Sequence, residues 1–151
     1  MPLDPSFAGR RYPAGTPYEV SHEKIREFAD AIGDPHPAYR DPAAAKALGH
    51  PDVLAPPTFP TVLSLRAATQ VVTDPALGLD YSRVVHGDER YSYRRPVRAG
   101  DVLTVTLTIE AVRSVAGNDL LTLVGEVQTV EGEPVLTTRS TLVARAAEPA
   151  A

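Results

Sequence analysis

The sequence predicts an α+β fold: one antiparallel sheet curled around a long central helix, made by a single domain of 151 residues. Three observations predict it. A helical period runs through the first half, the segment 58–72 is apolar around most of its circumference, and the period switches to two from Val102 onward. A helix apolar on nearly every side must be covered, and a meander of strands covers it best by curling around it.

The first helix is expected to start at Ser21, a good N-cap, with Ile25, Phe28, Ala29 and Ile32 at helical spacing and Gly33 as the stop. Val20 and Ile25 occupy the two positions of a hydrophobic staple. Asp41 then caps a short helix that opens on Pro42 and stops at Gly49. After Ala55-Pro56-Pro57, Thr58 is expected to cap the third helix, which runs to about Val72 and tolerates Pro60 because it lies in the first turn. At roughly 15 residues this helix would span about 22 Å, enough to form the axis of a small domain.

The second half reads as strands. One is expected across Arg83 to Arg94, and another where Val102, Val105, Leu107 and Ile109 alternate with Thr104, Thr106, Thr108 and Glu110. Turn residues at Ala116-Gly117-Asn118-Asp119 and Glu131-Gly132-Glu133-Pro134 separate strands near 120–130 and 135–145. The ordered core is expected over about 10–146, with the first nine residues and the tail from Ala144 loosely held.

Composition narrows the function. The chain is 43% hydrophobic and 23% charged with net charge −4, so no electrostatic case exists for nucleic acid or an anionic membrane as partner. The absence of Cys excludes disulfides, thiolate nucleophiles and Cys-based zinc sites, and fits a reducing cytoplasm, the expected location. The N-terminus lacks a basic region followed by an apolar run, and no segment approaches about 18 consecutive apolar residues. His22, His36, His50 and His86 show no ligand spacing, so no metal is expected; nor is there a Gly-rich phosphate loop or a G-x-S-x-G elbow.

The chemistry concentrates in Gly33-Asp34-Pro35-His36-Pro37-Ala38-Tyr39-Arg40-Asp41. This segment resembles the GD-x-NP-x-H-x-D signature of the MaoC-like, R-specific enoyl-thioester hydratases and dehydratases, matched by Gly33, Asp34, Pro37 and Asp41. Two positions depart: His36 stands where that family has asparagine, and Tyr39 where it has its catalytic histidine. Phe28-Ala29-x-Ala31-Ile32-Gly33-Asp34, Leu54-Ala55-Pro56-Pro57-Thr58-Phe59 and Arg95-Pro96-Val97-Arg98-Ala99-Gly100-Asp101 extend the resemblance over most of the chain.

The resemblance implies the hot-dog fold, dimers of hot-dog units, and action on (3R)-3-hydroxyacyl or trans-2-enoyl thioesters of CoA or acyl carrier protein, with no cofactor. More narrowly, the chain resembles the N-terminal-half type, including the subunit of heterodimeric dehydratases that lacks the catalytic pair and helps form the acyl channel. The thioester oxygen would be met by a backbone N–H at the start of the central helix. Gly33, Pro57, Thr58 and Phe59 are the implied substrate-binding positions; proline has no N–H, so Thr58 or Phe59 must be the donor.

Asp34, His36 and Tyr39 are the catalytic candidates. A neutral histidine can take a proton near pH 7, whereas a tyrosine with a reference pKa of about 10 stays roughly 99.9% protonated there. Three functions are therefore open: a dehydratase subunit whose partner hot-dog subunit completes catalysis, an autonomous homodimeric hydratase using Asp34 with His36 or Tyr39, and a non-catalytic acyl-thioester binding module. Arg90, Arg94, Arg95 and Arg98 are candidates for the phosphates of CoA or carrier protein, or simply surface charges. In His86-Gly87-Asp88-Glu89, strand alternation would put His86 and Asp88 on one face and Glu89 on the other.

Overall fold

The computed structural model describes residues 2–146. Three helices, α1 (His22–Ala31), α2 (Pro42–Ala47) and α3 (Pro60–Val72), accompany six strands: β1 (Arg11–Tyr12), β2 (Tyr18–Glu19), β3 (Val84–Tyr93), β4 (Val102–Val115), β5 (Asn118–Thr129) and β6 (Pro134–Ala144). All pairings are antiparallel, in the order β1-β4-β5-β6-β3, with β2 also on β4. The expected meander is β4-β5-β6. The earlier strand β3 crosses to the far edge, where it pairs with β6 from Val84↔Ala144 to Tyr93↔Leu136.

The local signals behave as their chemistry requires. Ser21 accepts from Lys24 N, Val20 and Ile25 are both buried, and Gly33 leaves α1 at φ +71, a conformation glycine adopts without a Cβ penalty. The β4–β5 turn has positive φ at both Ala116 and Gly117, the geometry that matches the twist of a two-residue hairpin. Along β4, Leu103, Val105, Leu107 and Ile109 point into the core while the threonines between them are only partly covered. On β5, Gly125 is required for space: a Cβ there would lie 2.4 Å from Thr138 Oγ1 on β6.

Two expectations about α3 are corrected. Its N-cap is Phe59, not Thr58, and no side chain caps it; Pro60 occupies the first helical position and removes one of the N–H groups a cap would serve. The helix is also covered on one side only. Leu63 and Val71 face the sheet and are almost fully buried, but Leu65 on the opposite flank is 43% exposed, because one sheet cannot close around a helix of this length.

Phe59 instead anchors the helix entry. It has no exposed surface and meets Phe28 of α1 and Tyr18 of β2 edge-to-face, at ring separations of 5.4 and 6.5 Å. Each such aromatic pair contributes about 0.5–1.5 kcal/mol beyond simple burial.

Of the first nine residues, expected to be loosely held, Leu3 and Gly9 are tied to the sheet. Leu3 is buried and its N–H donates to Asp119, and Gly9 N–H donates to Ile109 O. Of the tail, Arg145 and Ala146 are pinned by Arg83 O and Asn118 Oδ1, and residues 147–151 lie outside the described residues. No helix among the described residues is long and apolar enough to cross a membrane.

Gly125→Ala should lower stability by about 1–3 kcal/mol through overpacking, with Thr138→Ala in the same chain recovering most of the loss. Paired thermal or denaturant melts of the two variants check this; an undisturbed midpoint for Gly125→Ala would contradict the close approach.

Candidate active site

The loop after α1 is locked by its own polar side chains. Asp34 Oδ1 accepts from His36 N at 3.0 Å, and His36 Nδ1 accepts from Ala38 N at 3.1 Å, capping a 3-10 turn over Pro37–Tyr39. Arg40 reaches back to Asp34 O at 2.5 Å and to the Asp30 carboxylate on α1. Asp41 then caps α2 through Ala43 N at 2.9 Å.

These bonds decide what the three catalytic candidates can do. A histidine that accepts at Nδ1 carries its neutral-form proton on Nε2, so the lone pair a base would use is already occupied in His36. His36 is exposed, its ring 5.5 Å from that of Tyr39. Among the described residues no hydrogen bond joins the Asp34 carboxylate to the Tyr39 hydroxyl or the His36 ring; Asp34 serves as a turn cap. Burial, with a further contribution from the nearby Asp34 charge, pushes the Tyr39 phenol above its ordinary value. It is a neutral hydrogen-bond donor at neutral pH.

Tyr39 faces a pocket of about 350 Å³ lined mostly by apolar surface from Leu54, Ala55, Pro57, Tyr93 and Pro96, with Arg94 and Arg95 completing the wall. Tyr93 OH donates to Pro57 O at 2.7 Å and so ties β3 to the entry of α3. Burial raises its phenol pKa as well, with the neighbouring Tyr91 and Tyr39 adding to the shift.

The structure brings Tyr39 and Pro57 together in this pocket. It leaves Gly33 in the exposed turn and Phe59 wholly inside the core. It also separates the two candidate donors: Phe59 N–H is spent on Pro56 O at 2.9 Å, whereas Thr58 N–H has no acceptor among the described residues. Thr58 is exposed at the positive end of α3.

Of the four arginines, Arg95 is committed to structure. It makes two parallel 2.9 Å bonds to the buried Asp101 and a 2.7 Å bond to Glu133, and Asp101 also accepts from Arg98 N at 3.0 Å. Arg90 lies beside Asp88 at 3.4 Å.

The expected alternation in His86–Glu89 is overturned by a bulge at Gly87: the register jumps between His86↔Leu142 and Asp88↔Thr141, which puts His86 and Glu89 on the same side. Tyr93 was missed by the sequence reading, although Glu89, Tyr91 and Tyr93 stand at the two-residue spacing that predicts one shared face.

Residues 6–138 match the family described as FAS1-like, dehydratase domain region. The chain belongs to this family. The UPF0336 protein of Streptomyces coelicolor is 65% identical over 150 residues, which cover 99% of this chain and 100% of that one. Among solved structures, a MaoC-like dehydratase superposes with a TM-score of 0.87 at 34% identity over 94% of this chain. This chain spans only 43% of that protein's length. The C-terminally truncated HadBC (3R-hydroxyacyl-ACP dehydratase) complex of Mycobacterium tuberculosis superposes with a TM-score of 0.84 at 29% identity, over 95% of this chain and 99% of the matched one. The expected α+β hot-dog fold of the MaoC-like family is thereby shown.

Two measurements follow from this geometry. Replacing Arg95 by Met strands the buried Asp101 carboxylate and should cost about 3–5 kcal/mol in a denaturation series. Tyr39 should stay protonated past pH 10, its neutral form lending stability that is complete below that value and lost as pH rises through the raised one. Subtracting the ultraviolet titration of Tyr39→Phe from that of the parent isolates this ionisation; a midpoint at or below pH 10 would contradict the assignment.

Proposed function

We propose that this chain is a subunit of a (3R)-3-hydroxyacyl-thioester dehydratase or enoyl-thioester hydratase, acting on CoA or acyl-carrier-protein thioesters. It binds the acyl chain, and a partner hot-dog subunit with an intact Asp/His pair completes catalysis. Family membership supports the hydratase and dehydratase class. The observation that carries the subunit role is the side chain at the family's histidine position: a neutral phenol with no bond to Asp34, beside a pocket of about 350 Å³.

The reaction needs proton transfer at C2, activation or departure of water at C3, and stabilisation of charge on the thioester oxygen. Thr58 N–H at the start of α3 is suited to the last of these, and the Tyr39 hydroxyl can donate a second hydrogen bond. Neither removes a proton at pH 7. Of the other two candidates, His36 has its lone pair engaged by Ala38 N, and the Asp34 carboxylate accepts from His36 N as a turn cap. The apolar walls at Leu54, Ala55 and Pro57 suit an acyl or pantetheine segment.

The isolated chain should hydrate a short trans-2-enoyl-CoA at least about 100-fold more slowly than a hydratase with an intact Asp/His pair, the usual cost of a missing acid or base. It should nevertheless bind acyl-CoA saturably, and Leu54→Trp, which fills the pocket, should weaken that binding about tenfold or more. Full-speed turnover by the purified chain that vanishes in Asp34→Asn would overturn the division of labour and return the activity to this subunit.

A further inference from the structure

One edge of the sheet is open. Strand β3 runs for ten residues, pairs with β6 on one side, and has no strand on the other among the described residues. Such an edge is a template for another strand. The surface beside it is apolar: Leu65 and Val85 are each 43% exposed, and a groove of about 230 Å³ runs between Leu65, Ala68 and Val72 of α3 and His86 and Leu142 of the sheet. A second hot-dog subunit docked along β3 would extend the sheet and cover the bare flank of α3.

One residue makes this edge selective. Glu89 lies on the α3 side of β3, two residues from Tyr91, whose hydroxyl is 2.5 Å from Thr61 Oγ1 on α3. Its Oε2 is buried without a well-formed hydrogen bond; the neighbouring Tyr91 hydroxyl, already shared with Thr61, gives the carboxylate neutral polar contact, and the one group beside it able to carry positive charge is His86, whose Nδ1 lies 3.8 Å from Oε1. In the single subunit 23% of the Glu89 side chain still reaches water. Docking along β3 removes that water, and a carboxylate buried without a Lys or Arg partner opposes association.

A second copy paired along β3 would bring no Lys or Arg of that strand to Glu89. Residues opposite each other in an antiparallel pair lie on one face. The α3 side of a second β3 therefore offers Glu89 the residues Val84, His86, Glu89, Tyr91 and Tyr93. Arg90 is on the other face, in register with Arg139, and Arg66 of α3 is turned away over the Tyr18 ring at 5.2 Å. Histidine is the one group in that set able to carry positive charge.

We infer that Glu89 disfavours self-pairing along β3 and reserves this edge for a non-identical hot-dog subunit that presents Lys or Arg on the facing side. The inference rests on the proposal that the chain works with a hot-dog partner, and it adds the chemistry by which that partner is chosen.

Sedimentation equilibrium of the full chain tests it without the natural partner. Glu89→Gln should self-associate at least about tenfold more tightly than the parent, because the uncompensated charge is gone. The Glu89→Lys variant serves as the surrogate cationic subunit. Mixed with the parent, it should give a heterodimer at least about tenfold tighter than either protein forms alone, since Lys reaches both the opposite and the diagonal position.

His86→Gln should leave the parent's self-association unchanged, and circular dichroism of each variant, with Glu89→Ala in reserve, confirms folding. Equal self-association of Glu89→Gln and the parent would overturn the inference. So would a tight parent dimer that His86→Gln loosens, which would assign the edge to reciprocal His86–Glu89 pairs between identical copies. Turnover by the isolated chain is a separate result: it would refute the proposed function and leave the association measurements standing.

Discussion

One sheet can shield only one flank of a helix, and the arrangement of this molecule follows from how that limit is met. The sheet takes Leu63 and Val71 of α3 and leaves Leu65 outside. The helix is therefore fixed chiefly at its start, where Phe59 is clamped between Phe28 and Tyr18. That clamp sets the position of Pro56, Pro57 and Thr58 relative to β3, and the Tyr93 bond to Pro57 O holds the same junction from the sheet side. The pocket at Tyr39 is the space left between these two attachments.

The loop after α1 is shaped by its own side chains binding backbone. Asp34 and His36 each bind a backbone N–H two residues ahead, and Asp41 does the same at α2. These bonds shape the turn whether or not a proton is ever transferred. A loop that satisfies its backbone in this way keeps Tyr39 in place with Ala38 buried behind it. Turn chemistry alone accounts for the placement of Asp34 and His36, and it sets Tyr39 at the pocket wall as a neutral hydrogen-bond donor.

Much of this was legible in the residues. Ser21, Asp41 and Gly33 announced their caps and stop, and the alternation from Val102 onward announced β4, because those signals act within a few residues. What was not legible depended on distant contacts. The Gly87 bulge breaks a two-residue period that the letters continue unbroken. Phe59 reads as a residue near a cap, and its burial is decided by Phe28 and Tyr18. Arg95 reads as one of four similar arginines until Asp101 and Glu133 are seen around it. Tyr93 meets Pro57 across 36 positions of chain, beyond the reach of any local pattern.

The crossing of β3 to the far edge has a consequence for the order of synthesis. β3 is translated before β4, β5 and β6, yet the strand it joins is the last of them, so Val84↔Ala144 closes a loop of about 60 residues. At a ribosomal pace of about 5–20 residues per second, β3 waits seconds for its neighbour. β3 gains its neighbour only once β6 has left the ribosome. A nascent chain that stops short of β6 leaves β3 with both edges bare, and the sheet acquires its order β1-β4-β5-β6-β3 only when β6 arrives.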